Sequence, residues 1–156
     1  MSKKILDACC SSKMFWFDKN NPFAVFMDIR KEEIVCCDGR SIKVDPDVIG
    51  DFTKMPFENE SFKLVIFDPP HDMYAGKKSF IAQKYGNLNK DTWKEDLKKG
   101  FDESMRVLEP NGILVFKWNE IRVTVKQILE IVGTDPLIGH KSGKANKTHW
   151  LLFMKH

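Results

Sequence analysis

The stretch Phe62-Lys63-Leu64-Val65-Ile66-Phe67-Asp68-Pro69-Pro70-His71 sets the reading of the whole chain. Its first six residues form a nearly continuous apolar run, the pattern of a strand covered on both faces at the centre of a parallel sheet. The run stops at a carboxylate followed by two prolines. Proline fixes φ and removes a backbone donor, so the strand's hydrogen bonding ends there. In open α/β sheets, ligands bind just beyond the carboxyl ends of strands, which is where Asp68 stands.

The chemistry available at that point is specific. Asp68 offers a carboxylate, and Pro69 offers a rigid carbonyl with no N–H competing beside it. An exocyclic amino group on a base is a poor nucleophile because its lone pair is conjugated into the ring. Two acceptors that hold its two hydrogens favour a tetrahedral nitrogen and stabilise the positive charge that grows during alkylation. The ring of His71 offers a face for stacking on a base.

Outward from this segment, strands and helices alternate, which indicates an α/β fold with a mainly parallel sheet. Ile5 to Ala8 and Ala24 to Ile29 read as strands before it. Ile113 to Lys117, after a turn at Pro110-Asn111-Gly112, and Thr148 to Lys155 read as strands after it. Trp93, Leu97, Phe101, Met105 and Leu108 recur at helical spacing behind a cap at Asp91, in a helix that ends before Pro110. A second helix runs from about Arg122 to Val132 and is closed by Gly133. A third, short and aromatic, is expected over Ser12 to Asn20. Between Lys31 and Val48, Asp38-Gly39 reads as the tight turn of a β-hairpin. The segment Asp72 to Lys90 is long for a loop and reads as a mobile lid.

Composition sets the outer bounds. The 156 residues are 42% hydrophobic and 30% charged, as in ordinary globular proteins, and are expected to form one domain over 1–156. No apolar run approaches the ~20 residues of a membrane helix, and Asp7 interrupts the apolar start too early for a secretory signal. The cysteines come as two adjacent pairs, Cys9-Cys10 and Cys36-Cys37, which suit neither a disulfide framework nor zinc-site spacing. They read as reduced thiols of a cytoplasmic protein without a metal. His140 and His149 read as surface residues rather than ligands. The net charge of +3 permits a polyanionic partner.

Asp68-Pro69-Pro70-His71 resembles the Asp-Pro-Pro-aromatic signature of the amino-methyltransferases of the class I S-adenosylmethionine-dependent superfamily (the DPPY type), with His71 where Tyr, Phe or Trp is usual. The rest of the chain resembles that superfamily in order. Ile5-Leu6-Asp7-Ala8-Cys9-Cys10 is similar to its first motif, without the usual Gly-x-Gly. Asp28-Ile29 matches the acidic residue that binds the ribose hydroxyls. Asp51-Phe52 matches the segment at the adenine. Arg106 to Gly112 matches the helix-turn-strand that follows.

The resemblance implies a Rossmann-like sheet of seven strands with the last antiparallel, trimmed helices and the accessory hairpin. It implies S-adenosyl-L-methionine as cofactor, held by Asp7, Ala8, Cys9, Cys10, Asp28, Ile29, Asp51, Phe52 and Asp68. Catalysis would fall to Asp68, Pro69, Pro70 and His71. The implied reaction is methyl transfer to an exocyclic amino group of a DNA or RNA base. Lys77, Lys78, Lys84, Lys141, Lys144 and Lys147, in two loops beside the site, are the expected phosphate contacts.

Three alternatives stay open. A small-molecule methyltransferase fits Asp51-Phe52 but not Asp-Pro-Pro. A nicotinamide oxidoreductase fits Asp28 but not the absent Gly-x-Gly-x-x-Gly. A catalytically degenerate binding module fits the missing glycines. With a short first helix and none after the second strand, an apolar face near Met14, Phe15, Trp16 and Phe17 is expected to stay thinly covered and to support a homodimer.

Overall fold

The computed structural model describes residues 2–156. In chain order the strands are β1 (Ile5–Asp7), β2 (Ala24–Asp28), β3 (Glu32–Val35), β4 (Ser41–Val44), β5 (Val48–Ile49), β6 (Phe62–Phe67), β7 (Leu108–Asn119), β8 (Ile138–Ser142) and β9 (Thr148–Met154). The helices are α1 (Phe80–Tyr85), α2 (Trp93–Val107) and α3 (Val125–Val132). Seven strands form one sheet in the order β5-β2-β1-β6-β7-β9-β8, and β3 and β4 form a separate hairpin. β9 runs antiparallel to both neighbours, and the remaining pairs in the large sheet are parallel. The fold is therefore the expected one, accessory hairpin included.

The order of the strands reverses between β1 and β6. Such a switch point opens a crevice at the carboxyl ends of the two strands. The chain leaving β1 is fastened on both sides of it: the Ala8 N–H donates to the Ile66 carbonyl at 2.9 Å and the Cys10 N–H to the Met27 carbonyl at 2.9 Å. β6 buries Val65, Ile66 and Phe67, as its unbroken apolar sequence requires.

α2 packs on β6 and β7, burying Leu97 and Phe101 of the stripe read from its spacing together with Val107, while Leu108, the last of that stripe, already belongs to β7. Gly100 lies in the middle of that helix although glycine costs about 1 kcal/mol there. A Cβ at this position would sit 2.5 Å from Phe67 and 2.6 Å from Phe52, so only glycine lets the helix approach the sheet. Phe52 in turn packs edge-on to Phe67, with ring centroids 5.2 Å apart, which fixes the wall of the crevice.

Four local expectations are corrected. Ser12 to Asn20 is a series of turns, not a helix. Ser11 and Lys13 have φ of 44° and 55°, which breaks any helical run at its start. The side chains of Asp18 and Asn21 accept from backbone N–H groups two residues on, the local bonding that competes with helix. α2 is preceded by Thr92 rather than Asp91, and the Thr92 hydroxyl donates to Asp96 at 2.7 Å. α3 starts at Val125 instead of near Arg122, because Thr124 and Gln127 form a reciprocal capping box. The segment Asp72 to Lys90 contains α1, capped by Ser79 and ended at Gly86, whose φ of 74° and ψ of −178° only glycine adopts readily.

The aromatic run is divided among separate surroundings. Trp16 packs on Phe26, with centroids 4.9 Å apart, and Phe15 meets Trp150 edge-on at 5.7 Å. Phe17 alone of the four is fully exposed. His149, expected at the surface, is buried in β9 with Nε2 2.9 Å from Glu120, while His140 is exposed. The four cysteines are free thiols. Among the described residues, no helix is long and apolar enough to cross a membrane.

Candidate active site

A cavity of about 460 Å³ opens at the switch point, within the usual range for small-ligand sites. Its walls bring together Ala8, Cys9 and Cys10 after β1, Asp28 and Ile29 after β2, Asp51 and Phe52 after β5, and Asp68 to His71 after β6. Eleven of the twelve residues expected from the sequence to bind cofactor or catalyse therefore share one cavity.

Asp7 is the exception. Its side chain is fully buried behind the loop, where it accepts from the Trp16 indole N–H at 2.7 Å and the Cys9 N–H at 3.3 Å. It anchors the turn and does not face the cavity. Burial, reinforced by the nearby charges of Asp68 and Asp28, outweighs the Trp16 hydrogen bond and raises its pKa from 3.8 to about 7. The folded chain thus holds a proton over a range where the unfolded chain has released it, and the Asp7 contribution to stability falls as pH rises from about 4 to about 7. The loss is up to roughly 1.4 kcal/mol per pH unit. In urea unfolding, Asp7→Asn is expected to lose this fall, so that wild type weakens relative to the variant across that interval. A constant difference between the two would show that Asp7 ionises normally.

Cys9 and Cys10 also have pKa values pushed up, chiefly by burial, and stay neutral thiols. Ser11 occupies a left-handed conformation that costs a non-glycine residue about 1–2 kcal/mol. Its backbone N–H donates to Asp28 Oδ2 at 2.8 Å, and its hydroxyl donates to the Lys84 carbonyl. These bonds hold without glycine the turn that glycine usually makes.

Asp28 is almost wholly buried, and its other oxygen accepts from the Arg30 N–H at 3.2 Å. The Arg30 guanidinium reaches across to the carbonyls of Gln83 and Lys84 at the end of α1, the latter at 2.7 Å. Together with Ser11 it pins α1 over the cavity, so Tyr85 to Asn89 form its roof. A further clamp on the same segment is Arg122 to Asp72 at 3.1 Å. Asp51 is exposed at the rim and caps its own turn, accepting from the Thr53 N–H at 2.8 Å.

At the other end, Asp68 Oδ2 accepts from the Lys117 ammonium at 3.1 Å. His71 Nε2 lies 3.0 Å from Asp68 Oδ1 but off the axis of a hydrogen bond, so Oδ1 is buried without a donor. Among the described residues no donor reaches the Pro69 carbonyl either. The His71 ring stands edge-on to the buried Trp118, with centroids 4.9 Å apart.

Lys117 is a charged residue of the cavity wall that the sequence reading missed. Its ammonium also lies 5.4 Å from the Phe15 ring centroid and 5.5 Å from that of Trp150. A signal for it existed. Phe67 pairs with Phe116 across β6 and β7, so Lys117, a cation ending an apolar strand, falls beside Asp68. Of the six lysines expected to meet phosphate, none lines this cavity. Lys77 and Lys78 precede α1, Lys84 lies on it, Lys141 is in β8, and Lys144 and Lys147 are in the following turn.

By sequence, no protein-family model and no curated protein matches the chain. By structure, 98% of the chain superposes on 82% of the PH0226 protein from Pyrococcus horikoshii OT3, with a TM-score of 0.61 and 17% identity. It superposes over 99% of its length on 81% of a TehB-like SAM-dependent methyltransferase from Corynebacterium glutamicum, with a TM-score of 0.60 and 16% identity. The N-methyltransferase NodS from Bradyrhizobium japonicum WM9 matches over 98% of this chain and 85% of its own, with a TM-score of 0.59 and 11% identity. NodS in complex with S-adenosyl-L-homocysteine matches with a TM-score of 0.50 and 13% identity, over 99% and 78% of the two chains. At such identities the likeness is one of architecture, and the architecture is the Rossmann-like fold of the class I methyltransferases.

Proposed function

We propose that this chain is an S-adenosylmethionine-dependent methyltransferase acting on an exocyclic amino group, that of a DNA or RNA base. The observation that carries the reading is a pair of unpartnered acceptors at the switch point: the buried Asp68 Oδ1 and the carbonyl of Pro69. A buried acceptor without a donor costs about 1–3 kcal/mol. An amino group with two hydrogens would satisfy both.

The residues present fit the cofactor. Asp28 keeps unused lone pairs for vicinal hydroxyls, Ile29 and Phe52 offer apolar faces to a purine, and Asp51 at the rim offers an acceptor for its amino group. The small residues Ala8, Cys9 and Cys10 let the backbone after β1 come close to it. When bound, the cofactor supplies a methyl group on an electrophilic sulfonium.

The chain's own work lies at the amine. Asp68 and Pro69 hold the two hydrogens, orient the nitrogen lone pair and stabilise the developing cation. Lys117, also on the cavity wall, fixes the Asp68 carboxylate through Oδ2 beside the substrate amine. The carboxylate is also placed to take the proton that the methylated nitrogen sheds. His71 and Tyr85 add ring surface beside the nitrogen.

A small amine substrate has one observation in its favour, the clamping of α1 over the cavity, which narrows its mouth. Incubation with methyl-labelled S-adenosylmethionine and separate pools of DNA, tRNA, rRNA, peptide and small amines distinguishes the two. Label recovered as N-methyladenine or N-methylcytosine after nucleoside digestion is the expected result. Label confined to peptide or small amines would overturn the nucleic-acid assignment.

A further inference from the structure

A second cavity, also of about 460 Å³, lies between the turns after β1, strand β4 of the accessory hairpin and helix α1. Its lining is strongly cationic: Lys13 and Lys19 from the turns, Arg40 and Lys43 from the hairpin, and Lys84 from α1. Asp45 is the one acidic residue in the lining, and it is shared between Lys31 at 2.9 Å and Lys43 at 3.9 Å. The Arg40 guanidinium lies over the Phe80 ring, its Cζ 3.6 Å from the centroid, with Lys84 over the same ring at 5.2 Å. Two cations thus share one aromatic platform. Arg40 is paired with Asp38, whereas among the described residues Lys84 has no carboxylate within 4.0 Å. Burial, and then the charge of Arg40, lowers its pKa. Lys84, held beside Arg40 without a carboxylate of its own, is repelled by that neighbour, and an incoming polyanion relieves the repulsion.

The groove adjoins the first cavity. Ser11 lines the first cavity and Ser12 the second, while Tyr85 lines the first and Lys84 the second. The Ser11 hydroxyl bonded to the Lys84 carbonyl is the seam between them. The five cations come from three separate segments around one groove, and a chain of phosphates can meet them one by one. We infer that the accessory hairpin, the turns after β1 and α1 form a track for the phosphate backbone of a nucleic-acid strand, leading it past the mouth of the active site. The inference rests on the nucleic-acid reading of that site. It replaces the six loop lysines with a different set, of which only Lys84 is shared. It also gives the hairpin a function: Cys36, Ile42 and Val44 form a small core that, with Phe80 of α1 packed against it, holds the cationic edge in place.

The test is fluorescence anisotropy with labelled 20-nucleotide single strands of mixed-sequence DNA and RNA, at 50 to 200 mM salt, with wild type and Lys19→Glu/Arg40→Glu/Lys43→Glu. The expected result is at least tenfold weaker binding by the variant. Its plot of log affinity against log salt should be shallower by about 2, the slope of three lost phosphate contacts at ~0.7 each. S-adenosylmethionine affinity, measured by titration on the same preparations, should be unchanged and serves as the check on folding. If the charge reversals disturb folding, the milder Lys19→Gln/Lys43→Gln should still reduce both affinity and slope. Equal binding by wild type and variant would overturn the track while leaving the nucleic-acid reading in place. No binding of either strand by wild type at 50 mM salt would overturn both. Displacement of the strands by micromolar inorganic phosphate or mononucleotide would mark the groove as a small-anion site and also overturn the track.

Discussion

Replacing Asp68 with alanine is expected to lower kcat by about 10³-fold or more while leaving S-adenosylmethionine affinity within about tenfold. The asymmetry follows from where the carboxylate acts. Asp68 lines the cavity and its Oδ1 accepts no hydrogen bond, so the interaction of the carboxylate with an amine strengthens as positive charge grows on nitrogen, and that interaction belongs to the transition state. Loss of a preorganised group of this kind costs roughly 10²–10³ in kcat. Loss of the acceptor of the departing proton adds to that. Asp68→Asn keeps an oxygen acceptor and should fall between wild type and alanine. The alanine variant also leaves Lys117, only about one-fifth exposed, without its carboxylate. Lys117→Met in the same background separates the two effects: if the loss came from the stranded ammonium, the double variant would recover activity. Near-normal turnover by Asp68→Ala would remove the mechanism. Parallel losses of kcat and cofactor affinity would recast Asp68 as a binding residue.

The second large effect is expected at the opposite end of the cavity and in the opposite parameter. Asp28→Ala should weaken S-adenosylmethionine by about 100-fold, with kcat at saturating cofactor reduced much less. Asp28 sits at the carboxyl end of β2, almost fully buried, and each oxygen already accepts one backbone N–H, from Ser11 and Arg30. Its geometry is therefore set before any ligand arrives, and charge-assisted hydrogen bonds to ligand hydroxyls are worth about 1.5–3 kcal/mol each. Removal also frees Ser11, whose left-handed backbone depends on the Asp28 bond, so part of the loss would come from the turn itself. Unchanged affinity in titration would show that the ribose assignment is wrong.

The architecture was legible because each sheet strand near the site carries a local signal. Phe62 to Phe67 is apolar on both faces and ends at Asp-Pro-Pro, and Ala24 to Asp28 ends at a carboxylate in the same way. The order of Asp28, Asp51 and Asp68 along the chain then placed three residues on one cavity. β8 gave no signal because an edge strand exposed along most of its length shows no period-two burial, and β5 has only two residues. The turns at Ser12 to Asn20 were misread because the unbroken apolar run Met14 to Phe17 carries no period that separates a short helix from turns, whereas Trp16 is drawn inward by a hydrogen bond to Asp7. That same tertiary bond removes Asp7 from the cavity wall, which no local pattern records. Lys117 escaped because its significance lies in register with a strand distant in sequence. None of the six loop lysines lines the cavity, and loop charge in a sequence says nothing about which way a loop lies. The cations that line the second groove come from the hairpin, the turns after β1 and α1.

The most direct test of the central claim is a calorimetric titration of S-adenosylmethionine into the wild-type chain. The expected result is one site per chain, with a dissociation constant in the micromolar range, about −8 kcal/mol, and competition by S-adenosyl-L-homocysteine. Absence of binding at millimolar concentrations by protein whose unfolding remains cooperative would contradict it, and the cavity at the switch point would then belong to a different ligand.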